Sequence, residues 1–222
     1  MKYFLGIIIL IFCLWVYHIQ YCKISTHEKF FVDDISNWQT GDLILFKAYN
    51  NFYSILHGSY FGHVGMIYVG DNGVPYIFEA NGIEHMSLKP HHSKTGIFVS
   101  PAIDRIKKYK GVCYYKRLNM PISPFMRSNL EEFIQYALKH LQYDYNVVQN
   151  GIKKLLGLKR CNHQTDCGQM LFLALIKMDL IDISEYDVPR LNHLLYVCNL
   201  DKLKGGYKYL PLVEIIDHPF SY

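Results

Sequence analysis

Apolar residues change their spacing twice along this chain, and each spacing predicts a different kind of element. The first stretch has no period at all. Between Lys2 and Lys23 run the residues Tyr3 to Cys22 without a formally charged side chain. As a helix they would span roughly 30 Å, the thickness of a bilayer core. The densest part, Phe4 to Val16, is followed by Tyr17, His18 and Tyr21, aromatics suited to a membrane interface. The pattern predicts an uncleaved, single-pass transmembrane anchor over residues 1–22 that meets the bilayer through residues 3–22. A cleaved signal peptide would want a small-x-small site behind the apolar run, and none follows. A lipid-attached Cys22 would want a small residue before it, where Tyr21 stands. Lys2 on one side and Lys23 and Lys29 on the other balance, so neither orientation is favoured.

A polar spacer over residues 23–40 leads into a domain over 41–222 that reads as strands first and helices later. Gly41-Asp42 opens an apolar strand, Leu43 to Phe46. Two β-rich runs, His63 to Val69 and Pro75 to Ala80, flank Asp71-Asn72-Gly73, a strong hairpin signal. Shorter strands are predicted at 97–100 and 112–118. The period then becomes helical. Met126, Leu130, Phe133, Ile134, Ala137, Leu138 and Leu141 share one face behind a Ser123 cap and Pro124 in the first turn. A second helix opens at Asp166 and runs through Met170 to Ile176; apolar on every side, it belongs inside the core. Residues 185–222 are expected to close the domain. The predicted class is α+β, with a mostly antiparallel sheet packed on helices.

Composition narrows the partners. Half of the chain is apolar and 19% is charged, which excludes a disordered chain. A net charge of +4, scattered along the sequence, argues against nucleic acid. Six cysteines at irregular spacing do not make a disulfide scaffold.

Cys167 differs from the other five. It sits in the first turn of the buried helix, behind Asp166 as cap and with Gln169 at the capping-box position. Unpaired N–H groups and the helix dipole there favour a thiolate, so a lowered thiol pKa and a nucleophilic role are expected. Such a thiol needs a base. Most of the eleven histidines, among them His91 and His92, read as solvated. His63 stands between Gly62 and Gly65 at the start of an apolar strand, where backbone crowding is relieved. Hairpin loops of three or five residues would put Glu79 opposite His63; another placement would bring Ala80 or Asn81 there. Glu79, or Asn81 in its place, would then orient the imidazole. Cys161-x-His163-x3-Cys167 matches no common zinc spacing, so neither a metal nor any other cofactor is expected.

Taken in order, these motifs resemble the circularly permuted NlpC-type papain-like cysteine hydrolases, in their YiiX-like and poxvirus-like branch. The matching stretches are Gly41 to Phe46, Gly62 to Ile67, Ile77 to Ala80, Tyr143-Asp144-Tyr145 and Thr165 to Leu171. A cysteine motif that comes last, not first, is what singles out the permuted branch. Gly168 departs from the serine common after the nucleophile. The resemblance implies Cys167 as nucleophile, His63 as general base and then acid, and Glu79 as the orienting group. It further implies attack on an amide or ester carbonyl through an acyl-thioester. Three functions follow: an amidase or peptidase, a lipid acyltransferase or thioesterase on the same fold, or an inert membrane-bound binding module. The corresponding partners are a peptide, amide or acyl-lipid substrate and the bilayer.

Overall fold

In the computed structural model, which describes residues 2–21, 24, 26, 29–32, 34, 38–47, 59–81, 96–143, 164–187 and 190–216, the chain begins with helix α1 (Lys2–Tyr21). Five strands follow: β1 (Lys29–Phe31), β2 (Leu43–Lys47), β3 (His63–Val69), β4 (Pro75–Asn81) and β5 (Gly96–Pro101). Then come α2 (Ala102–Lys107), β6 (Val112–Lys116), α3 (Pro124–His140), β7 (Gln142–Tyr143), β8 (Gln164–Thr165), α4 (Cys167–Lys177), α5 (Arg190–Asn199) and β9 (Val213–Ile216). The motif residues Asp144 and Tyr145, the pair His91 and His92, and Cys22, Cys161 and His163 lie outside the described residues.

The main sheet has seven strands in the order β1-β9-β6-β2-β3-β4-β5, antiparallel except for the β1/β9 pair. Both of its faces are covered, which explains why β2 reads as an unbroken apolar run instead of alternating with polar residues. Leu43, Leu45, Val64, Met66, Phe78 and Tyr114 face one core, which they share with α3, α4 and α5. Ile44, Phe46, Ile67, Ile77, Cys113 and Tyr115 face the other, with Ala102 and Ile106 of α2 and with Val32 and Trp38. The stretch read as a spacer thus supplies both an edge strand and core side chains, and β9 brings the C-terminal region between β1 and β6. Sequence periodicity missed α2 and α5, which are too short, at six and ten residues, to show a clear helical pattern.

Local chemistry sets the elements that matter most. Ser123 caps α3 by accepting the Met126 N–H at 3.2 Å, with Pro124 at the first position. Asp42, fully buried, ties the start of β2 to its surroundings. Its carboxylate accepts the Leu118 N–H at 2.8 Å, the Gln39 N–H at 2.9 Å and the Tyr115 hydroxyl. Burial pushes this carboxyl up to about 6 against the pull of those hydrogen bonds.

Among the described residues, no helix is long and apolar enough to cross a membrane. The transmembrane helix expected over residues 3–22 is therefore not established by the fold. Helix α1 is twenty residues long and carries mostly apolar side chains. Most of them, from Phe4 to Tyr17, are exposed. The last turns of α1 reach the domain through His18, whose ring stands edge-on to Tyr60 at 5.4 Å and shares a hydrogen bond with its hydroxyl.

The glycine after Cys167 has a steric reason. A Cβ at Gly168 would lie 2.4 Å from the backbone nitrogen of Leu194 and 2.6 Å from its Cα. Helix α5 therefore rests directly on the first turn of α4. Gly168→Ala should cost about 1–3 kcal/mol by forcing the helices apart, read as a lower urea midpoint; an unchanged midpoint would show that α5 does not pack there.

Candidate active site

His63, the first residue of β3, pairs with Phe46 of β2, and its ring lies 5.2 Å from the Phe46 ring. Across the hairpin the register is Val69 with Pro75 and Met66 with Phe78. Continued to the end of β3, that register sets Glu79 opposite Gly65 and Asn81 opposite His63. The pairing expected from a three- or five-residue loop is thus displaced by two residues. The cause lies in the tip: Asn72 Oδ1 accepts the Val74 N–H at 3.0 Å, Gly73 takes a left-handed φ of 74°, and the first pair forms at Pro75.

The side chains compensate for the displacement. Glu79 reaches diagonally across the face and meets His63 Nε2 with its Oε2 at 2.6 Å. A Cβ at Gly65 would come within 2.5 Å of Ile77 Cγ2, so the glycine lets β3 and the Ile77 side chain pack closely beside this pair. Glu79 is 0% exposed and His63 4%. The carboxylate has a second partner that sequence reasoning did not find. Arg105 of α2, 2% exposed, donates from Nε to Glu79 Oε1 at 2.6 Å and from Nη2 to Oε2 at 3.0 Å. A buried carboxylate calls for a cationic partner, but 23 basic residues offered no way to choose one, and α2 itself was not foreseen. Burial opposes ionisation of Glu79, yet Arg105 and His63 together outweigh it and hold the carboxyl down to about 2.

Cys167 opens α4 as its sequence position predicts, with Asp166 accepting the Gln169 N–H at 2.8 Å. It is 7% exposed and belongs to the core on the α3–α5 side. His63, Glu79 and Arg105 gather instead with Phe46 on the α2 side. The thiol meets the sheet at the backbone N–H of Val64, the residue after His63. Among the described interactions, none is a hydrogen bond between Cys167 and His63. The structure thus brings Glu79 to His63 and leaves Cys167 beside the same strand without joining it to the imidazole.

The lowered thiol pKa expected from the helix start is not found. Burial pushes the Cys167 thiol up to about 12, and the charge of its own cap, Asp166, adds to this. The N–H groups of Val64 and Gly168 pull the other way and are outweighed. The cap that makes the helix start so legible also cancels much of the positive potential there. Among the described residues, no group of three or more His, Cys, Asp or Glu side chains is placed to hold a metal.

Because Glu79 is held down to about 2, its ionised form stabilises the fold above the ordinary carboxyl value of 4.5, and that contribution is lost as pH falls from there through 2. Glu79→Gln should cost about 3–5 kcal/mol at neutral pH by leaving Arg105 buried without a counter-charge. The stability gap to the native protein should close as the pH drops from 4.5 towards 2. Urea titrations at several pH values read this, and a gap independent of acid would refute the ion-pair account.

No protein-family model matches the chain, and no curated protein matches it. Among solved structures, the metalloprotein YiiX of Escherichia coli O157:H7 is similar over 62% of this chain and 64% of its own, at 20% identity and a TM-score of 0.43. The chain therefore spans somewhat less than two thirds of that neighbour's length. At this identity and score the likeness carries no residue role across.

Proposed function

We propose that this chain is a thiol-dependent acyl hydrolase on a permuted papain-like, NlpC-type scaffold, cleaving peptide-type amides. Cys167 is the nucleophile, His63 the base and Glu79 the group that orients it. The observation that carries the reading is the buried His63–Glu79 pair at 2.6 Å, with a helix-opening thiol against the next residue of the same strand. With Nε2 held by Glu79, Nδ1 is the imidazole nitrogen left to take a proton.

The reaction requires the Cys167 sulfur, held at the Val64 N–H on the α3–α5 side, and the His63 ring, on the α2 side, to meet around the start of β3, where both lie. The thiol proton passes to Nδ1 as sulfur bonds to the carbonyl carbon, and the Cys167 backbone N–H, at a helix start, faces the oxyanion. His63 then returns the proton to the leaving nitrogen as the C–N bond breaks, giving the acyl-thioester and free amine. Water attacks next and loses its proton to His63; the C–S bond breaks, releasing the acid and restoring the thiol. A thiol pushed up to about 12 fits proton transfer during attack, not a standing thiolate–imidazolium pair. An ester donor with a hydroxyl acceptor would make the same steps a lipid acyl transfer.

The apolar exposed surface of α1 supports attachment of the chain to a membrane, with the domain held close by His18 and Tyr60. On neutral lipid vesicles the full chain should float and a chain lacking residues 1–22 should not; equal flotation of both would overturn attachment through α1.

A second reading, a binding module with an inert cysteine, is favoured by the protonated thiol and by the lack of a Cys167–His63 hydrogen bond among the described interactions. One experiment separates the two. Full-length protein is mixed with p-nitrophenyl acetate, and nitrophenol release is followed together with the mass of the Cys167 peptide. The hydrolase should release nitrophenol in a burst and carry one acetyl on Cys167. His63→Ala should slow acylation by at least about 10²-fold, and Cys167→Ser should abolish the thioester. Acetylation that is slow and unaltered by His63→Ala in a folded protein would leave the binding module.

A further inference from the structure

Glu79 has two partners, and the one the proposed chemistry does not use is the more extensively bonded. Arg105 takes both carboxylate oxygens, so the direction in which Oε2 faces His63 is set by the guanidinium fork. The same guanidinium lies 4.5 Å over the Phe46 ring and 5.7 Å from the Tyr109 ring centroid, and Phe46 in turn contacts the His63 ring. One aromatic floor therefore orients both ends of the Arg105–Glu79–His63 row.

We propose that Arg105 is a positioning residue for His63, acting through Glu79: it aims the carboxylate at Nε2, keeps the imidazole in the Nε2–H form, and so leaves Nδ1 open to the thiol. The argument is electrostatic as well as geometric. A buried carboxylate with an imidazole as its sole partner would draw a second proton onto the ring, and an imidazolium cannot accept the thiol proton. With Arg105 in place, the anion is already matched, and His63 faces a neutral pair. Among the described residues, the other titratable or charged groups around this row are Tyr109 beyond α2, Cys113 on β6, and Lys47 and Cys167 towards the opposite core. Burial pushes both Tyr109 and Cys113 up, Cys113 to about 12, so neither supplies a competing charge. The part in catalysis rests on the proposed hydrolase; the effect on the ring does not.

The test is ¹⁵N NMR of histidine-labelled full-length protein in detergent micelles, with the His63 signal assigned by its loss in His63→Gln. At pH 7 the native protein should show the Nε2–H tautomer. Arg105→Met should convert the ring to the doubly protonated form and move the acid limb of Cys167 acylation upward by about one pH unit. Arg105→Lys keeps the charge but not the fork; it should retain a singly protonated ring, mix its tautomers and lower acylation several-fold. If the Met variant does not fold, the Lys variant alone decides. A folded variant, Met or Lys, whose His63 spectrum and pH profile match the native protein would overturn the proposal. Ring changes as expected without any acetyl on Cys167 would uphold the positioning role while the hydrolase reading fails; acylation with an unchanged ring would refute the positioning role alone.

Discussion

A fully buried carboxylate organises one end of this fold. Glu79 sits on β4, one strand in from the edge of a seven-stranded sheet, with none of its surface in water, a placement tolerable only with its charge matched and its lone pairs filled. Arg105 supplies the counter-charge and His63 takes part of the remaining acceptor capacity. The requirement reaches across four elements: β4 carries the acid, β3 the imidazole, α2 the guanidinium, and β2 the phenyl ring on which the last two rest. Helix α2 is only six residues long, too short to stand by itself, and its buried arginine is a substantial part of what fixes it against the sheet.

The opposite face follows from a steric constraint. Helix α4 enters the core apolar on every side, and α5 lies so close that residue 168 has no room for a side chain. A serine at position 168 would not fit unless α5 moved away. The same close packing desolvates Cys167 and explains why its thiol is pushed up although it opens a helix. Burial and a charged cap outweigh the dipole, so the helix start positions this thiol without activating it. In the proposed chemistry activation would fall to His63, so the orientation of that ring would matter more than in a site with a free thiolate.

The His63–Glu79 contact is legible in the sequence, and what that reading lacks has definite physical origins. Cys167 was marked by local features, the cap at Asp166 and the apolar helix behind it. His63 and Glu79 were marked by a hairpin whose turn residues are unmistakable. The observed register is the alternative that sets Asn81 opposite His63, two residues from the pairing of a three- or five-residue loop, because Asn72 and Gly73 form the tip in a way that spacing rules do not distinguish; Glu79 still reaches the ring diagonally. Arg105 left no sign, since an arginine in a polar-looking stretch, 26 positions from its partner, resembles any surface cation.

The sequence by itself determined the elements marked by a cap, a turn or a clear apolar period, because these act over a few neighbours. It determined the α+β class, the hairpin and the α3 and α4 helix starts. Only the tertiary structure decided which core each side chain enters, which cation neutralises Glu79, and whether the thiol is charged. Those outcomes depend on burial and on charges brought together from distant parts of the chain, and desolvation is a property of the assembled core, absent from any local stretch of residues.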